Sequence, residues 1–124
     1  MKSIEQSLNL VPIKPPTYGN PVTDRRNRLV RNINYQIELV NKFRIGEHIK
    51  KQWFWNDDEG NIYLPIKYGK NTLELGKGKF AIKCSSIDDV QRNLETVKTL
   101  TLMGNLDLIL ASISKNIRNK FMRE

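Results

Sequence analysis

Asn61-Ile62-Tyr63-Leu64-Pro65-Ile66-Lys67-Tyr68 is the stretch on which the fold class turns. Ile62, Leu64, Ile66 and Tyr68 fall on one side of an extended chain, and Asn61, Tyr63 and Lys67 on the other. That period of two is the pattern of a half-buried strand. Pro65 interrupts it, because proline has no N–H to give to a ladder and sits on an edge strand or at a bulge. Either this strand is an edge, or the sheet is not a simple meander here. Upstream, Gln52-Trp53-Phe54-Trp55 is aromatic and β-prone, and Asn56 to Gly60 is turn chemistry. Downstream, Gly69-Lys70-Asn71 turns the chain into Thr72 to Leu75. Gly76-Lys77-Gly78 turns it again into Lys79 to Cys84, where Phe80, Ile82 and Cys84 share a face. The reading is four antiparallel strands.

Helices flank this block. Asn20-Pro21 opens the first, with Asn20 or Thr23 as cap and Pro21 tolerated in the first turn. Leu29, Val30, Ile33, Ile37 and Val40 recur at helical spacing, and Gly46 ends it. Ser86-Ile87-Asp88-Asp89 is a capping box with Asp in place of Glu, opening a helix that buries Ile87, Val90, Leu94 and Val97. Gly104 stops that helix and Asn105 caps another, with Leu106, Ile109, Leu110, Ile113, Ile117 and Phe121 on one stripe. The two form a hairpin. The expected core joins Leu64, Ile66, Leu73, Phe80 and Ile82 to Leu94, Val97, Leu110 and Ile113.

Residues 1–19 form an extended arm ahead of a single α+β domain spanning 20–124. Pro12, Pro15 and Pro16 exclude a helix there, while Leu8, Leu10, Val11 and Ile13 are apolar enough to dock. Such an arm either covers an edge of its own sheet or lies along a partner.

The chain has 124 residues, one cysteine, one histidine and a formal charge of +8. This length fits one domain, and the charge favours a polyanionic or acidic partner. With one cysteine no intrachain disulfide forms, and a cytoplasmic setting is expected. A structural zinc site is implausible, and no apolar run approaches a membrane span. The cations cluster. Between Val22 and Trp55, Arg25, Arg26, Arg28, Arg31, Lys42, Arg44, Lys50 and Lys51 face Asp24, Glu38 and Glu47, so +5 of the charge lies in this segment. Arginine grips phosphate oxygens in pairs, so the four arginines on the first turns are the candidate backbone contacts and the other four cations extend the patch. The plain alternative is a solvated helix face.

Other candidates fare worse. The Trp53-Phe54-Trp55 block, with Tyr63, Tyr68, Lys67, Lys79 and Lys83, suits base stacking, but burial under the first helix is the commoner fate of tryptophan. Gly76-Lys77-Gly78-Lys79 lacks the spacing and following helix of a phosphate loop and reads as a hairpin turn. Asp57-Asp58-Glu59 is a solvated turn rather than a calcium loop. Cys84 and His48 lack any nucleophile–base motif, and Cys84 sits on an apolar face.

Arg25, Arg26, Leu29 and Gln36, then Trp53 and Trp55, Tyr68-Gly69, Leu73-Glu74-Leu75, Gly78-Lys79 and Ala81-Ile82 form a series that Gly104-Asn105-Leu106-Asp107 closes. The series resembles a family of small bacterial and prophage-encoded proteins of unknown function. The resemblance runs from Leu10 to Leu110, departs at Asn105 where an acidic residue is expected, and implies fold unity and a mobile-element setting. It implies no activity. The expectation is therefore an α+β protein with an arm, a basic helix, a four-stranded antiparallel sheet and a helical hairpin on one sheet face. It is not an enzyme, takes no cofactor, and binds nucleic acid or a nucleoprotein complex. The alternative is a small interaction module, such as a phage-type inhibitor docking on a host nucleoprotein complex.

Overall fold

The computed structural model describes residues 7–14 and 19–122, with side chains to residue 118. Pro15, Pro16 and the Phe121 side chain lie outside that range. Among the described residues three helices and five short strands make an α+β fold: α1 (Pro21–Arg44), β1 (Trp55–Asn56), β2 (Ile62–Leu64), β3 (Lys67–Tyr68), β4 (Asn71–Thr72), β5 (Ile82–Cys84), α2 (Ile87–Leu102) and α3 (Asp107–Met122).

The helix ends follow their local chemistry. Asn20 caps α1 by accepting from the Val22 amide at 3.0 Å. At the other end, Gly46 N–H donates to Phe43 O and Glu47 N–H to Lys42 O, the paired bonds of a Schellman stop. The same pair ends α2, where Gly104 N–H reaches Thr101 O and Asn105 N–H reaches Leu100 O. The Ser86 hydroxyl caps α2 by accepting from Asp89 N–H, and the Asp89 carboxylate accepts in return from Ser85. The last helix begins at Asp107, two residues beyond the expected Asn105 cap. Across Gly104 the chain direction turns by 83°, so α2 and α3 meet as a corner.

Pro65 divides the central stretch. It is buried, and it separates β2 from β3. One antiparallel sheet has the order β1-β2-β5; the other is the β3-β4 hairpin. Thus β2 is a central strand, and the second of the two alternatives raised by Pro65 holds: the meander breaks. In place of four strands in one sheet there are three and two. Leu73 N–H donates to Ile66 O at 2.8 Å and so extends the β3-β4 hairpin by one pair, up to the residue after Pro65. Because β5 covers only Ile82–Cys84, the chain from Leu75 to Lys79 forms its own tight turn, and Phe80 is 50% exposed rather than in the core.

α1 packs chiefly on α2, then on α3, and reaches β3. Leu29, Ile33 and Val40 of α1 join Phe54, Leu64, Ile66, Tyr68, Leu73, Cys84, Val90, Leu94, Val97, Leu106 and Leu110 in one cluster. Ile82 and Ile113 pack against it while half-buried. No described helix is long and apolar enough to cross a membrane alone. Residues 7–14 form no strand, and Leu8, Leu10, Val11 and Ile13 are exposed, so this part of the arm covers no sheet edge.

A candidate nucleic-acid interface on the first helix

The eight cations read from the sequence do not form one patch. At 3.6 residues per turn, Arg26 and Arg44 lie about five turns apart and leave α1 from the same side. That side faces the other helices. Arg26 grips Asp107 of α3 with two bonds, one of them Nε to Oδ1 at 2.8 Å. Arg44 pairs with Asp88 of α2 and donates to Gln91 Oε1 at 2.9 Å. The arginine holds the Asp107 carboxyl below the usual carboxylate range, and Asp107 in turn raises Arg26. Arg25 stands close enough to add to the depression of Asp107. Arg26 and Arg44 are therefore ties between helices.

Arg28, Arg31, Tyr35 and Lys42 fall on another face, at spacings of three, four and seven. All four are exposed, as are Lys50 and Lys51 in the connector after α1. Asp24 and Glu38 share the helix face and dilute its charge. Arg28 lies over the Tyr68 ring, its guanidinium carbon 4.9 Å from the centroid. That cation–π contact fixes the head group beside Gly69 without neutralising it. Lys42 and Lys50 are not drawn into the group around Arg28.

Gln36 positions the connector. Its buried side chain donates to Lys51 O at 3.1 Å and accepts from Trp53 N–H at 2.8 Å. Held this way, Lys51 adopts φ 66°, the one left-handed residue other than glycine among those described. Such a backbone costs a non-glycine residue about 1–3 kcal/mol, and it persists where the surroundings over-determine it. The result is a hollow of about 230 Å³ lined by Asn32, Tyr35, Gln36, Lys51, Trp53 and Gly69. Of the predicted cations, Lys51 lines it, Arg28 borders it at Gly69, and Arg31 stands one helical turn before Tyr35. Trp53 belonged to the aromatic block, but Tyr35 and Asn32 were missed. Their only signal was spacing of four and seven residues from Arg28.

The remaining sequence candidates resolve plainly. Phe54 is buried against Phe43, Trp53 is half-buried, and Trp55 is 52% exposed. Burial thus holds for one tryptophan in part and fails for the other, which lies against Tyr63 with centroids 4.7 Å apart. Asp57 is the hub of its turn, accepting from Glu59 N–H, Asn61 N–H, the Asn61 amide and the Tyr63 hydroxyl. Asn61 leads in lowering its pKa, and the same hub raises Tyr63. The Gly76–Lys79 segment is a hairpin turn, pinned by Glu74 accepting from Gly78 N–H at 2.7 Å. Burial pushes the Cys84 thiol up, and Asn93 donates to it. No cluster of three potential metal ligands occurs among the described residues. A larger cleft, about 500 Å³, lies between residues 72–80 and α3 and contains none of the predicted site residues. Set against protein-family models, curated proteins and solved structures, the chain matches none.

Proposed function

We propose that this protein is a non-enzymatic nucleic-acid-binding accessory factor whose interface is the outward face of α1 and the connector after it. Arg28, Arg31 and Lys51 carry the phosphate contacts, with Arg25, Lys42 and Lys50 adding long-range attraction. One observation supports this most directly: Arg28 is held over the Tyr68 ring and left exposed, and Lys51 is exposed at the neighbouring hollow, whereas Arg26 and Arg44 are spent on carboxylates. Phosphate neutralisation releases counterions, so affinity falls steeply with salt. Fluorescence anisotropy with a labelled duplex and a labelled single strand across a salt series tests the reading. No affinity for either at low salt overturns it. The mobile-element and cytoplasmic setting belongs to the same proposal and rests on the resemblance and the single cysteine.

The exposed arm favours a second reading. Leu8, Leu10, Val11 and Ile13 are left without cover, which suits an extended segment laid on a partner protein of a nucleoprotein complex. Deleting residues 1–14 distinguishes the roles: loss of partner capture with nuclease present and an unchanged melting temperature assigns the arm to docking.

A further inference from the structure

We infer that the hollow beside α1 is a pocket for one unstacked nucleobase, which makes the ligand single-stranded; this rests on the nucleic-acid reading above and names its substrate class.

Size is the first argument. At about 230 Å³ the hollow is smaller than the roughly 300–1,000 Å³ that encloses a whole small-molecule ligand. It has room for one planar ring system. A duplex, whose bases are stacked and paired, presents nothing that enters it. Wall chemistry is the second. Tyr35 and Trp53 line it, and aromatic rings stack on any base, while the Asn32 amide has both a donor and an acceptor for a base edge. The third is charge. Lys51 lines the hollow, Arg28 borders it at Gly69, and Arg31 stands one turn before Tyr35, so phosphates on either side of an inserted base meet cations. The fourth is rigidity. Gln36 fixes both Lys51 and Trp53 from a buried position, so the hollow is built before any ligand arrives.

Three labelled probes decide it: a short oligothymidylate, the same strand with abasic sites, and a duplex of equal length. The intact strand is expected to bind tightest and to quench tryptophan emission, and Trp53→Phe abolishes the quenching while Trp55→Phe leaves it. Tyr35→Ala, at an exposed position that tolerates truncation, weakens oligothymidylate binding by ~5–150-fold, the loss of one base–aromatic stack. Tyr35→Phe restores it. Binding of the abasic strand and the duplex is unchanged by Tyr35→Ala. Equal affinity for intact and abasic strands overturns the base pocket while leaving the basic-face reading standing. Binding to none of the three overturns both.

Discussion

The two sides of α1 use the same residue type for opposite purposes. Arg26 and Arg44 point toward α2 and α3, meet Asp107 and Asp88, and hold the three helices together. Arg28 and Arg31 point away, and Arg28 rests on a ring that leaves its charge in place. An arginine facing a carboxylate offers little to a phosphate; an arginine facing an aromatic offers almost everything. Net charge alone therefore overstates the interface, because at least two of the eight cations between Val22 and Trp55 are paired with carboxylates of the chain itself.

The largest expected effect comes from removing the residue that joins the two sides. Gln36 lies on the buried face of α1 but builds the outward hollow. Gln36→Leu keeps the volume and strands Lys51 O and Trp53 N–H, each costing about 1–3 kcal/mol when buried without a partner. Chemical denaturation should show that loss, and binding of single strands should fall with it. A stable variant that still binds would mean the connector holds itself in place.

Next comes a comparison of two glycines. Gly104 and Gly46 both end helices at positive φ, 87° and 81°. Substituting alanine at either carries the left-handed penalty of roughly 1–2 kcal/mol. A Cβ at Gly46 meets nothing within 4 Å, whereas one at Gly104 falls 2.7 Å from Arg26 Nη2 and 3.1 Å from Asp107 Oδ2. Gly104→Ala should therefore lower the melting temperature more than Gly46→Ala, and the excess reports the Arg26–Asp107 tie. Equal drops would show that the ion pair simply moves aside.

These residues also mark how far the sequence was legible. Caps and stops are local, so Asn20, Gly46, Ser86 and Gly104 were readable from a few neighbours. Leu29, Ile33 and Val40 on α1 and Val90, Leu94 and Val97 on α2 followed from periodicity, whereas the buried Gln36, Leu39 and Thr101 did not. Nor did Phe80, because alternation presumes a continuous strand, and β5 begins only at Ile82, after the Gly76–Lys79 turn. Likewise β5 skips the β3-β4 hairpin to pair with β2, a choice made by tertiary packing rather than by either strand's own sequence. Ion pairs were the least visible. Arg26 and Asp107 lie at opposite ends of the chain, and nothing in the arginine run separates Arg26 from Arg25 or Arg28 except a helical phase that needs the partner's position to interpret. Several residues of the series that Gly104-Asn105-Leu106-Asp107 closes have structural work: Arg26 with Gly104 and Asp107, Gln36 with Trp53, Tyr68-Gly69 beneath Arg28. They describe how α1 is held more than what it binds.

A smaller effect is expected on the outward side. Arg28→Ala with Arg31→Ala should flatten the log–log dependence of affinity on salt by roughly two units for any strand, with little change in melting temperature. Arg26→Gln should do the reverse, lowering the melting temperature and leaving the slope nearly as it was. If both variants flatten the slope equally, the division between the two sides is wrong.

Acid separates the sides most gently. Asp107 has a carboxyl pKa depressed in the folded state, chiefly by its bonds to Arg26. The folded form therefore takes up its proton at lower pH than the unfolded chain does. Stability from this group is complete above the unfolded value of about 3.9 and is lost as pH falls below it toward the folded pKa. Asp57 behaves in the same direction, through Asn61 first. Melting temperature should thus decline as pH drops below about 4, and Asp107→Asn should remove part of that decline while lowering stability near neutrality. An acid decline identical in Asp107→Asn and the parent protein would place the lost stability in the Asp57 turn, leaving the inner side of α1 held by packing rather than by charge.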